Sequence, residues 1–179
     1  MAEDPKSWDP ATRLIRGGIA RSNYGEISEA LFLTQSFAYE SAAAADRRFS
    51  GEDPGFVYAR YGSPTTQMFE ERLALLEGAE YCRALASGMA AVHTALTGLL
   101  KAGDHLVAGR ALFGSCNWIV QNWLPRFGVE TTLVDATDLK AWEAAMRPNT
   151  KVVLLESPAN PLLEITDIAA VARIAHAAG

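Results

Sequence analysis

Lysine is scarce in this chain, with only Lys6, Lys101, Lys140 and Lys151, and cysteine scarcer, with only Cys82 and Cys116. Two cysteines suggest neither a disulfide framework nor a metal site, and the default for such a chain is a reducing, cytoplasmic compartment. His93, His105 and His176 lack ligand-like spacing, so no metal is expected. Basic charge is in deficit: the formal net charge is −5, which argues against nucleic acid as a partner. No apolar run reaches membrane-spanning length, and Met1-Ala2-Glu3-Asp4-Pro5 leads into no apolar core of a signal peptide. Neither a membrane nor export is therefore expected. Internal repeats and low-complexity tracts are missing too. So are the two common phosphate loops, G-x-G-x-x-G and the pattern ending in Gly-Lys-Ser/Thr, which leaves little for a nucleotide-binding α/β domain.

What is there suits a folded chain. At 179 residues and 49% hydrophobic composition it is long and apolar enough for one domain with a core. Residues 1 to about 60 read as irregular, with Ser50-Gly51-Glu52-Asp53-Pro54-Gly55 a loop by composition. A segment of this kind wraps over its own domain or over a second subunit. Regular order is expected from Ser63-Pro64, a helix cap and first-turn proline. Phe69, Leu73 and Leu76 share a face of that helix, and Gly78 ends it. Residues 80–86 read as a strand and 88–101 as a helix burying Val92, Ala95, Leu96 and Leu99. A strand at His105–Ala108, a helix carrying Ile119, Val120, Trp123 and Leu124, and a strand at 129–134 follow. Then come a helix at 138–146, a strand at 151–155 and a last helix capped by Asp167. Strands alternating with helices imply an α/β fold, a mainly parallel sheet with flanking helices and right-handed crossovers. Sites in such sheets lie at the carboxyl ends of strands, here the loops 86–89, 109–117 and 156–161.

Four short stretches stand out. Ser87-Gly88-Met89 opens a helix with small residues, which leaves backbone N–H groups and the positive end of the dipole free for an anion. Taken alone it equally suits close helix-to-sheet packing. Phe113 follows a strand end and offers a flat face to a planar ligand, or is simply core. In Glu156-Ser157-Pro158-Ala159-Asn160-Pro161 two prolines stiffen the chain around the Asn160 amide, which is otherwise a turn residue. In Tyr58-Ala59-Arg60-Tyr61-Gly62-Ser63-Pro64-Thr65, Arg60 is a forked anion ligand and Tyr58 a hydroxyl donor, or they form a surface ion pair and a half-buried ring.

Together and in this order, Tyr-x-Arg-x-x-x-Pro-Thr, Ser-Gly-Met and Glu-Ser-Pro-x-Asn-Pro resemble the γ-family of pyridoxal-phosphate enzymes, the cystathionine γ-synthase-like family of Cys/Met metabolism. The likeness runs from Thr12-Arg13 to the last helix. It implies a fold-type I transferase. Residues 1–62 would form an extended N-terminal arm at a subunit interface, and residues 63–179 the first part of the cofactor-binding α/β domain. It implies pyridoxal 5′-phosphate held by the backbone of Gly88 and Met89, with Ser87 shaping the turn. Phe113 would stack on the pyridine ring. Asn160 would lie near the cofactor's phenolic oxygen and the substrate carboxylate. Tyr58 and Arg60 would reach the phosphate in a neighbouring subunit of a homo-oligomer, dimer or tetramer. Many relatives carry Tyr at the Phe113 position, and Phe cannot do that hydroxyl's proton handling. Phe113-Gly114-Ser115-Cys116 looks most like the branch joining sulfide to O-succinylhomoserine in methionine biosynthesis. Cystathionine γ-synthase and lyases acting on cystathionine or methionine remain alternatives.

The resemblance also calls for a Schiff-base lysine in a Ser/Thr-rich setting. None of the four lysines has one, and all read as solvated. The chain is therefore expected to be the N-terminal portion of a longer enzyme, without a catalytic residue of its own and inactive alone. Cys116 reads as a small filler, and Trp118, Trp123 and Trp142 as core or interface residues.

Overall fold

The computed structural model describes residues 4–179, so the part of the signal-peptide reading that rests on Met1, Ala2 and Glu3 lies outside the described residues. The chain forms two compact units that divide between Ala84 and Leu85. The helix after Ser63 packs within the N-terminal unit, against the helix formed by residues 10–16.

The N-terminal unit is more ordered than its composition suggests. Asp9 caps α1 (Pro10–Arg16) and Ser41 caps α2 (Ala42–Ser50), each accepting a backbone N–H through its side-chain oxygen. Both helices are short and bury no residue fully, so their periodicity is too weak to read in sequence. Ser63 caps α3 (Pro64–Glu77), Pro64 occupies its first turn, and Gly78 closes it at φ +65°. Met68 is the buried residue of α3, whereas Phe69 is exposed and Leu73 and Leu76 are half-buried. The inward face is thus turned by one residue from the expected one, because α3 faces the Gly17–Gly18 turn. At Gly18, φ is +70° and a Cβ would come within 2.6 Å of the Met68 carbonyl oxygen, so only glycine fits. Arg72 Nε donates to the Gly17 carbonyl at 2.8 Å, and its guanidinium also pairs with Glu29.

The C-terminal unit holds the sheet. β1 (His105–Gly109) lies between β2 (Glu130–Val134) and β3 (Thr150–Leu154), and both pairings are parallel. His105 stands opposite Glu130 and Thr150, and the β1–β3 register slips by one residue just after His105. Every residue of β1 is buried, as expected of a central strand covered on both faces. Leu106 and Ala108 face a core with Leu96, Leu112, Ile119, Val120 and Leu124. Val107 faces the other, built with Val134, Trp142 and Val171. α4 (Gly88–Leu99) and α5 (Gly114–Trp118) contribute to the first core, α6 (Leu139–Ala145) and α7 (Ile168–Ala177) to the second. The predicted α/β layering with a parallel sheet is therefore observed.

Three expectations fail locally. Residues 80–86 form no ladder among the described residues. The chain there takes no regular structure, because a strand also needs a partner edge. In α4, Leu96 is buried while Ala95 and Leu99 are exposed, because Leu100, just past the helix, turns inward in place of Leu99. The helix expected around Ile119–Leu124 is broken up. It runs as α5, a π turn at Ile119–Trp123 and a 3-10 turn at Leu124–Phe127, with Pro125 removing one helix donor. Of its tryptophans, Trp118 is exposed and Trp123 packs at a tilt against His93 and Phe127. Trp142 is fully buried and donates Nε1–H to the Ala136 carbonyl at 3.1 Å.

His105 ties the strand starts together. Its ring nitrogens lie 2.8 Å from Thr150 Oγ1 on β3 and 2.9 Å from Thr132 Oγ1 on β2. Burial, and next the Arg147 guanidinium, hold its pKa below the ordinary value, with Glu130 opposing. A depressed histidine is protonated more readily in the unfolded chain. Stability should therefore be full above about pH 6.5 and fall as pH drops below it. Thermal melts between pH 7.5 and 5 should show this fall, and His105→Gln should flatten it relative to the wild type.

Candidate functional site

The loops leaving β1 and β3, and the turn that opens α4, carry the candidate residues of the C-terminal unit. Ser87 caps α4. Its Oγ accepts the Ala90 N–H at 3.1 Å and its carbonyl accepts the Ala91 N–H at 3.0 Å. Among the described residues the N–H groups of Gly88 and Met89 have no such acceptor. A Cβ at Gly88 would meet nothing within 4 Å. An open, twelve-residue helix thus presents two free donors and its positive dipole end to the same space. Ser87 shapes this turn, as expected, and Met89 packs its side chain on the core with its sulfur 4.0 Å from Cys116 Sγ.

Phe113 is not core. It lies at the start of α5 with 44% of its surface exposed, which leaves a ring face available to a planar ligand. Asn160 is exposed between Ala159 and Pro161, and the peptide bonds before Pro158 and Pro161 are both cis. The Phe113 and Asn160 loops are joined by a group to which sequence reading assigned no role. Glu156 Oε2 accepts the Phe113 N–H at 2.8 Å, and Oε1 accepts the Asn160 N–H at 2.7 Å. Its place in the Glu-Ser-Pro stretch was visible, but the span between two loops was not. Burial first, and then the Glu156 charge, push the Cys116 thiol up, which fits an inert filler better than a nucleophile.

Tyr58 and Arg60 belong to the N-terminal unit. An isolated antiparallel bridge between Ser36 and Tyr58 holds the backbone there. The Arg60 guanidinium carbon lies 5.6 Å from the Tyr58 ring centre and 5.1 Å from that of Tyr61. Arg60 makes no ion pair among the described residues, so the surface salt bridge weighed for it is not what forms. A charged fork flanked by aromatic rings and lacking a carboxylate is suited to an external anion.

Lys6, Lys101, Lys140 and Lys151 are all exposed. Among the described residues, no group of three or more His, Cys, Asp or Glu could hold a metal ion, and no helix is long and apolar enough to cross a membrane. Both cysteines are free. The donors at the start of α4 and the groups after β1 and β3 fit a phosphorylated, planar cofactor. Two backbone donors at a helix start suit the phosphate, and an exposed ring face suits the heterocycle.

Comparison with known proteins agrees. The family model described as Cys/Met metabolism PLP-dependent enzyme matches residues 11–179. The chain is 51% identical over 98% of its length to O-succinylhomoserine sulfhydrylase of Mycobacterium tuberculosis, covering 43% of that protein. It is 43% identical over 93% of its length to L-methionine gamma-lyase of Treponema denticola, covering 42%. The chain thus spans less than half the length of the curated relatives it matches. Among solved structures, metB from Corynebacterium glutamicum is 35% identical with a TM-score of 0.88, over 98% of this chain and 44% of that one. A Campylobacter jejuni structure carrying N′-pyridoxyl-lysine-5′-monophosphate is 29% identical, also with a TM-score of 0.88, over 96% of this chain and 42% of that one. On sequence and fold together, the chain belongs to the Cys/Met metabolism family of pyridoxal-phosphate-dependent enzymes.

Proposed function

We propose that this chain serves a γ-replacement in which sulfide displaces the acyl group of an O-acyl homoserine, O-succinylhomoserine first, to give homocysteine. The observation that carries this reading is the 51% identity to an O-succinylhomoserine sulfhydrylase across 98% of the chain. The stretch Phe113-Gly114-Ser115-Cys116, which resembles that branch, supports the same reading.

In this reading the Gly88 and Met89 N–H groups bind the cofactor phosphate, aided by the α4 dipole. Phe113 lays its ring on the pyridine and holds the cofactor plane. Asn160 orients the phenolic oxygen and the substrate carboxylate by hydrogen bonding. Tyr58 and Arg60 reach the phosphate of a neighbouring subunit, so a homo-oligomer shares its sites between chains. The bound cofactor supplies an electron sink for carbanion chemistry. Because Phe113 moves no proton, proton transfer falls to other groups. The four exposed lysines are not assigned to it, and we place the Schiff-base lysine outside this chain.

A complete protein containing this chain, given O-succinylhomoserine, should form homocysteine with sulfide. Cystathionine from cysteine, with no sulfide-dependent homocysteine, would make it a cystathionine γ-synthase instead. The 43% identity to a methionine gamma-lyase favours one further reading, which release of methanethiol from methionine would establish.

Residues 1–179 alone should show no turnover with pyridoxal phosphate. Borohydride-reducible labelling of one defined lysine, accompanied by turnover, would contradict that. Gly88→Glu adds a negative charge beside the free amides, at a position where a Cβ meets nothing within 4 Å. It should weaken pyridoxal-phosphate binding by about tenfold or more, on the scale of a charge at a helix terminus together with one lost hydrogen bond. The melting temperature should hardly change. Binding by equilibrium dialysis checks this.

A further inference from the structure

Among the described residues, Glu156 is the side chain that hydrogen-bonds to both the Phe113 and the Asn160 loops of the C-terminal unit. It stands two residues beyond the last residue of β3, half-buried, with its carboxylate against the start of α5. Each oxygen takes a different loop: Oε2 the Phe113 N–H at 2.8 Å, and Oε1 the Asn160 N–H at 2.7 Å. It forms no ion pair among the described residues, so those two amides are its strong partners. Both distances lie in the range of charge-assisted bonds.

The arrangement supplies something α5 lacks. Phe113 caps that helix without a side-chain hydrogen bond of its own. In a capping box a glutamate three residues into the helix would reach back to the cap N–H. Here the glutamate comes from the loop after β3, 43 residues later in sequence. The same carboxylate fixes the start of the Asn160-Pro161 turn, whose backbone is further tied by Ala159 N–H donating to the Glu164 carbonyl at 3.0 Å.

We infer that Glu156 is a positioning residue, whose carboxylate locks the Phe113 ring and the Asn160 amide at one fixed spacing across the cofactor site. This rests on the proposed roles of Phe113 and Asn160, but the lock itself is a property of the protein alone. Removing the carboxylate leaves both loops attached to their strands and frees them to move independently. A glutamine keeps the volume but offers one acceptor oxygen, and its NH2 group would face the other amide, donor against donor.

The test compares wild type, Glu156→Gln and Glu156→Ala in the complete protein. Amide hydrogen exchange is read at Phe113, Asn160 and the core residue Val107, and the induced circular dichroism of added pyridoxal phosphate is recorded. The Gln variant should expose one of the two amides and the Ala variant both, with exchange faster by about tenfold or more, while Val107 stays protected. Induced ellipticity and affinity for pyridoxal phosphate should fall in the same order, and less in Gln than in Ala.

Unchanged exchange at Phe113 and Asn160 in the Ala variant would overturn the inference. So would freed amides with an undiminished cofactor signal. If the wild type itself gives no cofactor signal, the functional reading fails, and the exchange rates still decide whether the lock exists.

Discussion

The parallel pairing of β1 between β2 and β3 is the constraint on which the C-terminal unit depends. A strand buried on both faces must find hydrogen-bond partners on both edges and apolar cover above and below. β1 meets both demands, with the Leu106 and Ala108 side chains in one core and Val107 in the other. Because the pairing is parallel, β1 and β3 end on the same side. Their exit loops, bearing Phe113 and Asn160, therefore emerge next to each other and can be joined by one carboxylate.

The two ends of the sheet are secured by different chemistry. At the starting edge, the buried His105 ring links Thr132 and Thr150 by hydrogen bonds. At the exit edge a charged glutamate collects backbone amides beside an exposed ring. The first arrangement favours rigidity at the price of a pH-sensitive group. The second leaves the Gly88 and Met89 donors and the Phe113 face open to a ligand.

The helix caps were readable because capping is local. Ser63, Ser87 and Asp167 each accept from a backbone N–H within three residues, as their positions before apolar runs imply. The strand at 105 is readable because a buried parallel strand is largely apolar, and those at 130 and 150 because each ends in apolar residues, Leu133-Val134 and Val152-Val153-Leu154. For the segment 80–86 a ladder would depend on an edge elsewhere, and sequence carries no record of that edge. The short helices α1 and α2 bury too little to leave a periodic trace. The inward face of α3 lies about one residue from the expected one, since its rotation is set by Gly18, whereas in α4 Val92 and Leu96 face the core as expected and Leu100 takes the place of Leu99.

For the site, the sequence by itself determined the residue types: small residues opening α4, an aromatic after β1, a proline-bounded asparagine after β3 and an arginine between tyrosines. Their order along the chain carried the family resemblance. Only the tertiary structure decided that Phe113 is exposed rather than core, that Arg60 stacks rather than pairs, and that Glu156 connects two loops. The reason is range. Caps, turns and buried strands are fixed by interactions within a few residues, whereas exposure and cross-loop bonds depend on groups dozens of residues apart brought together by the sheet.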